Sequence, residues 1–321
     1  MLTRRSIVAA GILAPVAARA QSTPSGMVRI VNPFPAGGTS DAMARLLQPI
    51  LQQRLGATIL IENRPGASAS IGAAVVAKSP PDGTTWLLTS DTFVVSTLLL
   101  NNLPYDVLKD FEPVTMIGRG PMVLCAHPSR PYRTLPELIA AAKAQPDVLT
   151  YGTTGIGSNG HLTVAALCQL AGIKLVHVPY RGAAPVLNDG TAGHVDMVIS
   201  SSATVAPQVE AGQLRAVVQF GEKRASFLPD TATAIENEIP SLHAYSWFGF
   251  FGPAGTPKHI LDKFYRDVAA AVRDETNYNT LVNKFRVEVP LPAPGELRQM
   301  IVEELPFWAK IIRDNNIKIG S

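Results

Sequence analysis

"VTMIGRGPMVLCAH" (residues 114–127) is a mostly apolar, strand-compatible run that is longer than an ordinary β-strand, and its reading divides the chain. Before it, short β-rich runs alternate with amphipathic helical patterns. After it the same alternation starts afresh, until a second long apolar stretch, "AYSWFGFFGPAGTP" (244–257). A chain patterned in this way leaves one α/β unit along the first stretch, builds another, and returns along the second. The expectation is an α/β protein of two lobes with a cleft between them, where ligands of open α/β sheets bind.

The shorter signals fill in each unit. "VRIVNPF" (28–34), "TILIEN" (58–63) and "TTWLLTS" (84–90) predict three strands, with helices between them. In the first helix Met43, Leu46, Leu47, Ile50 and Leu51 share one face, Thr39 or Ser40 caps the start, Gly56 closes the end, and Pro49 predicts a kink or a second helix. The order β-α-β-α-β implies a parallel sheet. In the middle third, "VLTYGTT", "KLVHVPY", "HVDMVISS" and "LRAVVQF" predict strands. Helices are predicted over "TLPELIAAAKAQ", "HLTVAALCQLAG" and "TVAPQVEAG", and again around 261–272 and 297–312.

Residues 1–20 carry a basic start, a short apolar stretch and Ala18-Arg19-Ala20, which together read as a cleaved export signal. Arg4, Arg5 and Arg19 are its only charges, so 25 basic and 25 acidic residues remain in the mature chain. Neutrality gives no reason to expect nucleic acid or an anionic membrane as partner, and any recognised anion must be held by local groups. At 46% hydrophobic the chain is not a disordered one. Cys125 and Cys168 are either a disulfide pair or two small buried hydrophobes.

Two glycine-rich turns stand between a strand and a helix, one in each unit. "GIGSNG" (155–160) matches G-x-G-x-x-G, the dinucleotide pattern. No Asp or Glu occurs between His161 and Asn188, where that pattern requires an acidic residue for the ribose. Only Arg181 stands near, which leaves an NADP-dependent oxidoreductase as the alternative. "FPAGGTSD" (34–41) is the matching turn in the first unit, and no Gly-Lys-Ser/Thr makes it a P-loop. Two helix N-termini can thus converge on a cleft and bind a small carboxylate through backbone N–H groups. Valine at Gly37 or Gly157 is expected to block that approach.

The ordered set "FPAGGTSDAMAR", "IENRPGASASIGA", "SPPDGTTWLLTS", "YGTTGIGSNGHL", "VPYRGAAPVLNDGTAGHVDM" and "GFFGPAGTP" resembles the solute-binding proteins of tripartite tricarboxylate transporters, the Bug-type periplasmic receptors. The resemblance runs from about Val28 to the C-terminus. It implies a type II-like, Venus-flytrap periplasmic binding fold, with two parallel or mixed sheets, flanking helices and crossing strands. The lobe boundaries expected are 27–121 with 249–321, and 122–248. It also implies a monomer that holds a small carboxylate, an amino acid, di- or tricarboxylate or aromatic acid, and delivers it to membrane transporter subunits, with no cofactor, metal or catalytic residue. A sensory receptor would share the same binding chemistry.

Carried onto this chain, the ligand contacts are Phe34, Ala36, Gly37, Gly38 and Asp41 in the first lobe and Thr153, Thr154, Gly155, Ser158, Asn159 and His161 in the second. Ser90, Asp91 and Thr92 form a further contacting loop; that loop and the residues around Tyr180-Arg181 are candidates for selectivity, and Asp196 is read as facing either the cleft or the crossing strands. Asp41 reads equally as a turn-orienting or helix-start charge, His161 as a carboxylate donor or a cap, Arg181 as a clamp or an ion-pair partner of Asp189 or Asp196. Two departures from the family pattern stand out. Ser68-Ala69 replaces a frequent Gly pair, and Gly190-Thr191 replaces a usual pair of leucines. No G-x-S-x-G or H-E-x-x-H motif competes.

Overall fold

Alternating β-branched runs and helical patterns fold as an α/β chain in the computed structural model, which describes residues 26–100 and 102–318. The segment read as an export signal lies outside them. The chain begins β1 (Met27–Asn32), α1 (Thr39–Leu55), β2 (Thr58–Asn63), α2 (Ser70–Ala77) and β3 (Thr85–Ser90). These three strands are parallel, with β1 between β2 and β3. Pro49 does not divide α1, because Met43, Leu47 and Leu51 stay buried along one face across it. Where a loop is expected at Ser90–Thr92, α3 (Asp91–Leu99) starts at once. Its run Phe93-Val94-Val95 is buried and carries no amphipathic period to betray a helix.

Next comes the long strand β4 (Phe111–Ala126), followed by α4 (Leu135–Ala144), β5 (Thr150–Thr153), α5 (Asn159–Ala171), β6 (Val176–Pro179), α6 (Ala183–Ala192), β7 (Met197–Ser201), α7 (Ser202–Glu210) and β8 (Arg215–Gln219). The chain returns along β9 (Tyr245–Pro253) and ends with α8 (Lys258–Arg273), α9 (Glu275–Asn279) and α10 (Pro294–Asp314).

The first part of β4, as far as Pro121, pairs antiparallel with β9, whereas Met122–Ala126 lies between β7 and β8. The strands therefore run in the order β2-β1-β3-β9-β4 and then β4-β7-β5-β6. β4 belongs to both halves, which makes one mixed, curled sheet system with a lobe on either side. Register shifts after Pro113, Met116 and Leu124 mark where β4 bends to do so.

Each lobe has its own core. In the first, Trp86 stacks on Phe264 of α8 with ring centroids 3.8 Å apart, beside Leu47 and Phe250. The opposite face holds Leu87, Phe93, Trp247 and Phe251, against Leu297 and Ile301 of α10. In the second, Leu124, Leu138, Leu162 and Phe220 pack together, and Trp308 and Ile311 at the far end of α10 join them. The C-terminal helix thus straps the two cores. Cys125 is buried in the second lobe and Cys168 half-buried on α5; both are free thiols, so the small-hydrophobe reading describes them. Burial pushes the Cys168 thiol up to about 12.

Candidate functional site

Parallel strands direct their C-terminal ends to one edge, and the helices that follow begin there. Five helices, α1, α3, α5, α6 and α7, start at the wall of one cleft of about 310 Å³ between the lobes. Phe34, Gly38, Thr39 and Ser40 line it from the first turn. Ser90, Asp91 and Thr92 come from the start of α3, and Thr154, Ser158, Asn159 and Gly160 from the second turn. No side chain caps α1, α6 or α7, so their leading N–H groups lack the partner a capping residue supplies. Each helix start carries roughly half a positive charge. The wall is otherwise hydroxyl-rich, and among the described residues no Lys or Arg lines it. An anion entering the cleft would be held by backbone dipoles and hydroxyls rather than by a cation.

In the first turn Gly37 adopts φ 81° and donates its N–H to Asp41 Oδ2 at 2.9 Å. The same carboxylate accepts from Arg45 Nε and Nη2 at 3.0 and 3.1 Å, and Arg45 holds its pKa below the ordinary range. Asp41 is buried and acts on the turn, not on the cleft. Asn63 Nδ2 steadies the Phe34 carbonyl from β2 at 3.1 Å. Phe34 and Gly38 reach the cleft wall, whereas Ala36 and Gly37 are exposed outside it.

The glycines of "GIGSNG" each have a local reason. Gly155 and Gly157 adopt φ 148° and 74°, and a methyl at Gly160 would press on Ile199 of β7 at 3.0 Å. The turn also uses its own donors. Gly155 N–H goes to Thr153 Oγ1, Ser158 N–H to the Gly155 carbonyl, and Gly157 N–H to His161 Nδ1 at 3.1 Å. A dinucleotide pyrophosphate would need those groups.

His161 Nδ1 is therefore an acceptor, and the ring stacks on His177 with centroids 3.8 Å apart. Burial holds His161 down at about 4, so it is neutral. Of its two readings, the capping one describes it; the half-buried ring stacks on His177 and does not line the cleft. Thr153 is buried, 2.7 Å from His177 Nε2, and shapes the turn from beneath.

Asp91 lines the cleft but is fully engaged. Its Oδ1 accepts from Ser246 Oγ (3.0 Å) and Trp247 N–H (3.3 Å), and its Oδ2 from Asn159 Nδ2 (3.0 Å). Asn159 Nδ2 also donates to the Tyr245 carbonyl at 2.9 Å. Burial raises the Asp91 pKa. This group ties α3 of one lobe to α5 of the other across β9.

Asp196 does not belong to the site. It precedes β7, at the opposite end of that strand from the cleft residues Ser200 and Ser201. There it accepts from Thr150 N–H at 2.7 Å and pairs with Arg130 at 2.9 Å. Arg181 is exposed between β6 and α6, outside the cleft wall, with no ion pair among the described residues. Asp189 accepts from Tyr180 and His194 instead.

Sequence reading missed Ser200, Ser201, Ala203 and Thr204 at the β7–α7 junction, Ala183 on α6, and Ser246 and Phe248 on β9. The available signal was "ISSSA", a strand running straight into a helix with hydroxyls but no glycine. A larger groove of about 510 Å³, between residues 97–100 and 103–108 on one side and 305–309 on the other, gathers none of the sequence-selected residues.

A family model described as the tripartite tricarboxylate transporter family receptor matches residues 43–317. Protein BugT of Bordetella pertussis is 32% identical over 98% of this chain and 96% of its own length. Among solved structures, the periplasmic binding protein BugD superposes with a TM-score of 0.76 at 30% identity, covering 92% of this chain and 99% of that one. Rpa4515 of R. palustris, solved with adipate, gives 0.79 at 31% identity with the same coverage. With its two-lobed fold and matching turns, the chain belongs to the tripartite tricarboxylate transporter receptor family, a family of periplasmic solute-binding proteins and not an enzyme class.

Proposed function

We propose that this protein captures a small carboxylate in the interlobe cleft in the periplasm and delivers it, as a monomer, to membrane transporter subunits. The observation that carries this reading is the meeting of uncapped helix starts from both lobes in a hydroxyl-lined cleft without a cation. The adipate held by the similar Rpa4515 supports the ligand class. Lobes bounded at 27–121 with 249–321 and at 122–248 close on the ligand about β4 and β9. Only the closed form lets the starts of α1 and of α6 and α7 share one carboxylate, so binding shifts the open–closed population.

Calorimetric titration with a carboxylate panel tests the site through Gly38. Gly37 and Gly157 are poor choices, because valine at their positive φ would strain the backbone whatever the space. Gly38 has φ −77°, and a Cβ there meets only the Pro35 carbonyl at 3.4 Å, so Gly38→Val fits the fold and fills the cleft wall. At least a tenfold weaker Kd is expected for every carboxylate that binds. Unchanged affinity would place the ligand elsewhere.

A further inference from the structure

A side chamber of about 190 Å³ opens from the cleft and shares Thr92, Thr154, Ser158 and Asn159 with it. Val95 and Leu99 of α3 and Ile156 of the second turn give it apolar walls, and no charged side chain lines it. Ile156 is 45% exposed, a large hydrophobe that the turn's own packing does not cover. Ser96 commits its hydroxyl hydrogen to the Phe93 carbonyl at 2.9 Å, which leaves an acceptor facing the chamber and nothing from Ser96 to give a carboxylate. A cavity of about 150 Å³ is enough for a benzene ring.

Ser68 closes the chamber from the first lobe. It is held there by three successive non-glycine residues in the left-handed region, Ala67, Ser68 and Ala69, at φ 44°, 51° and 75°. Backbone strain of this kind persists where surrounding structure imposes it, commonly beside a ligand.

We propose that the side chamber is a specificity pocket for an uncharged ring or short apolar tail, so that the preferred ligand is a monocarboxylate bearing such a group rather than a dicarboxylate. The inference rests on the carboxylate reading of the cleft: the carboxylate sits at the helix starts and the tail lies between α3 and the second turn. The pocket is formed by both lobes, so tail recognition and closure are one event.

Titration of the purified protein with benzoate and phenylacetate, against succinate and adipate, tests it, together with the Ile156→Lys variant. The parent protein is expected to bind one of the ring-bearing acids at least tenfold more tightly than either dicarboxylate. Ile156→Lys, at an exposed position, should leave the ligand-free melting temperature unchanged, weaken the ring-bearing acid at least tenfold and reverse the order in favour of a dicarboxylate. Tighter dicarboxylate binding by the parent, or a ring-bearing acid indifferent to Ile156→Lys, would overturn the pocket and leave the carboxylate receptor standing. Failure of all four acids to bind would overturn both.

Discussion

Asp41 and His161, ligand contacts by the family resemblance, both bond to the glycine turns instead of lining the cleft. Each accepts the N–H of a positive-φ glycine four residues earlier, Gly37 for Asp41 and Gly157 for His161. The two lobes have thus arrived at one device, a side chain in the first turn of a helix that pins the glycine before it. In the second lobe the pin titrates. Charging His161 or His177 means charging a half-buried ring, and partial burial, with their mutual repulsion at His177, lowers both to about 4 from the ordinary 6.5. As pH falls below 6.5 the unfolded chain takes these protons before the fold does. Their stabilising contribution is complete above 6.5 and is lost progressively toward 4, a change on the order of a few kcal/mol for the two rings together once their partial exposure to solvent is allowed for. Denaturant midpoints from pH 7.5 to 4.5 should fall in the parent and fall less steeply in His161→Asn, which keeps an acceptor for Gly157. Parallel profiles would mean that this pair does not govern acid stability.

At the level of elements, the β-to-α junctions with glycine were legible because a tight turn before an amphipathic helix leaves a sequence mark, as at "PAGGTSD" and "GIGSNG". α3 was not, since a short helix buried all round reads like a strand or a loop. Nor was the start of α7, where Ser200 and Ser201 enter the site without a glycine. Side-chain direction was out of reach as well: the family resemblance placed Asp91 and Thr153, and the apolar alternation Asp196, near functional segments, but neither could say that each is occupied by protein partners.

The two family departures now have physical content. Gly190 lets α6 lie directly on β7, where any Cβ would collide with the Val198 side chain. Ser68, expected from the family resemblance to be a glycine position, has φ 51°, a left-handed conformation that costs an L-residue roughly 1–2 kcal/mol. Ser68→Gly should therefore raise stability by about 0.5–1 kcal/mol after the added freedom of the unfolded chain is counted. Equilibrium denaturation measures it, and a loss of stability would show that the Ser68 side chain contributes more than its backbone strain costs.

Across the whole molecule, the connections that tie the lobes include β4 and β9 passing between the sheets, α10 with Leu297 in one core and Trp308 in the other, and the Asp91–Asn159 hydrogen bond beside the cleft. The long apolar runs at 114–127 and 244–257 announced the first connection in sequence. The helix strap and the hydrogen bond depend on residues far apart in the chain and had no local signature. A ligand held by helix starts from both lobes adds a further tie, so its binding energy appears as stability of the whole protein. Melting of the purified protein with a series of carboxylates and their matched amides isolates the charge that the helix starts are proposed to recognise. A bound carboxylate at a hundred times its Kd should stabilise the fold by about 2.7 kcal/mol, with little effect from its amide. Equal stabilisation by acid and amide, or by neither, would contradict recognition of a carboxylate in this cleft.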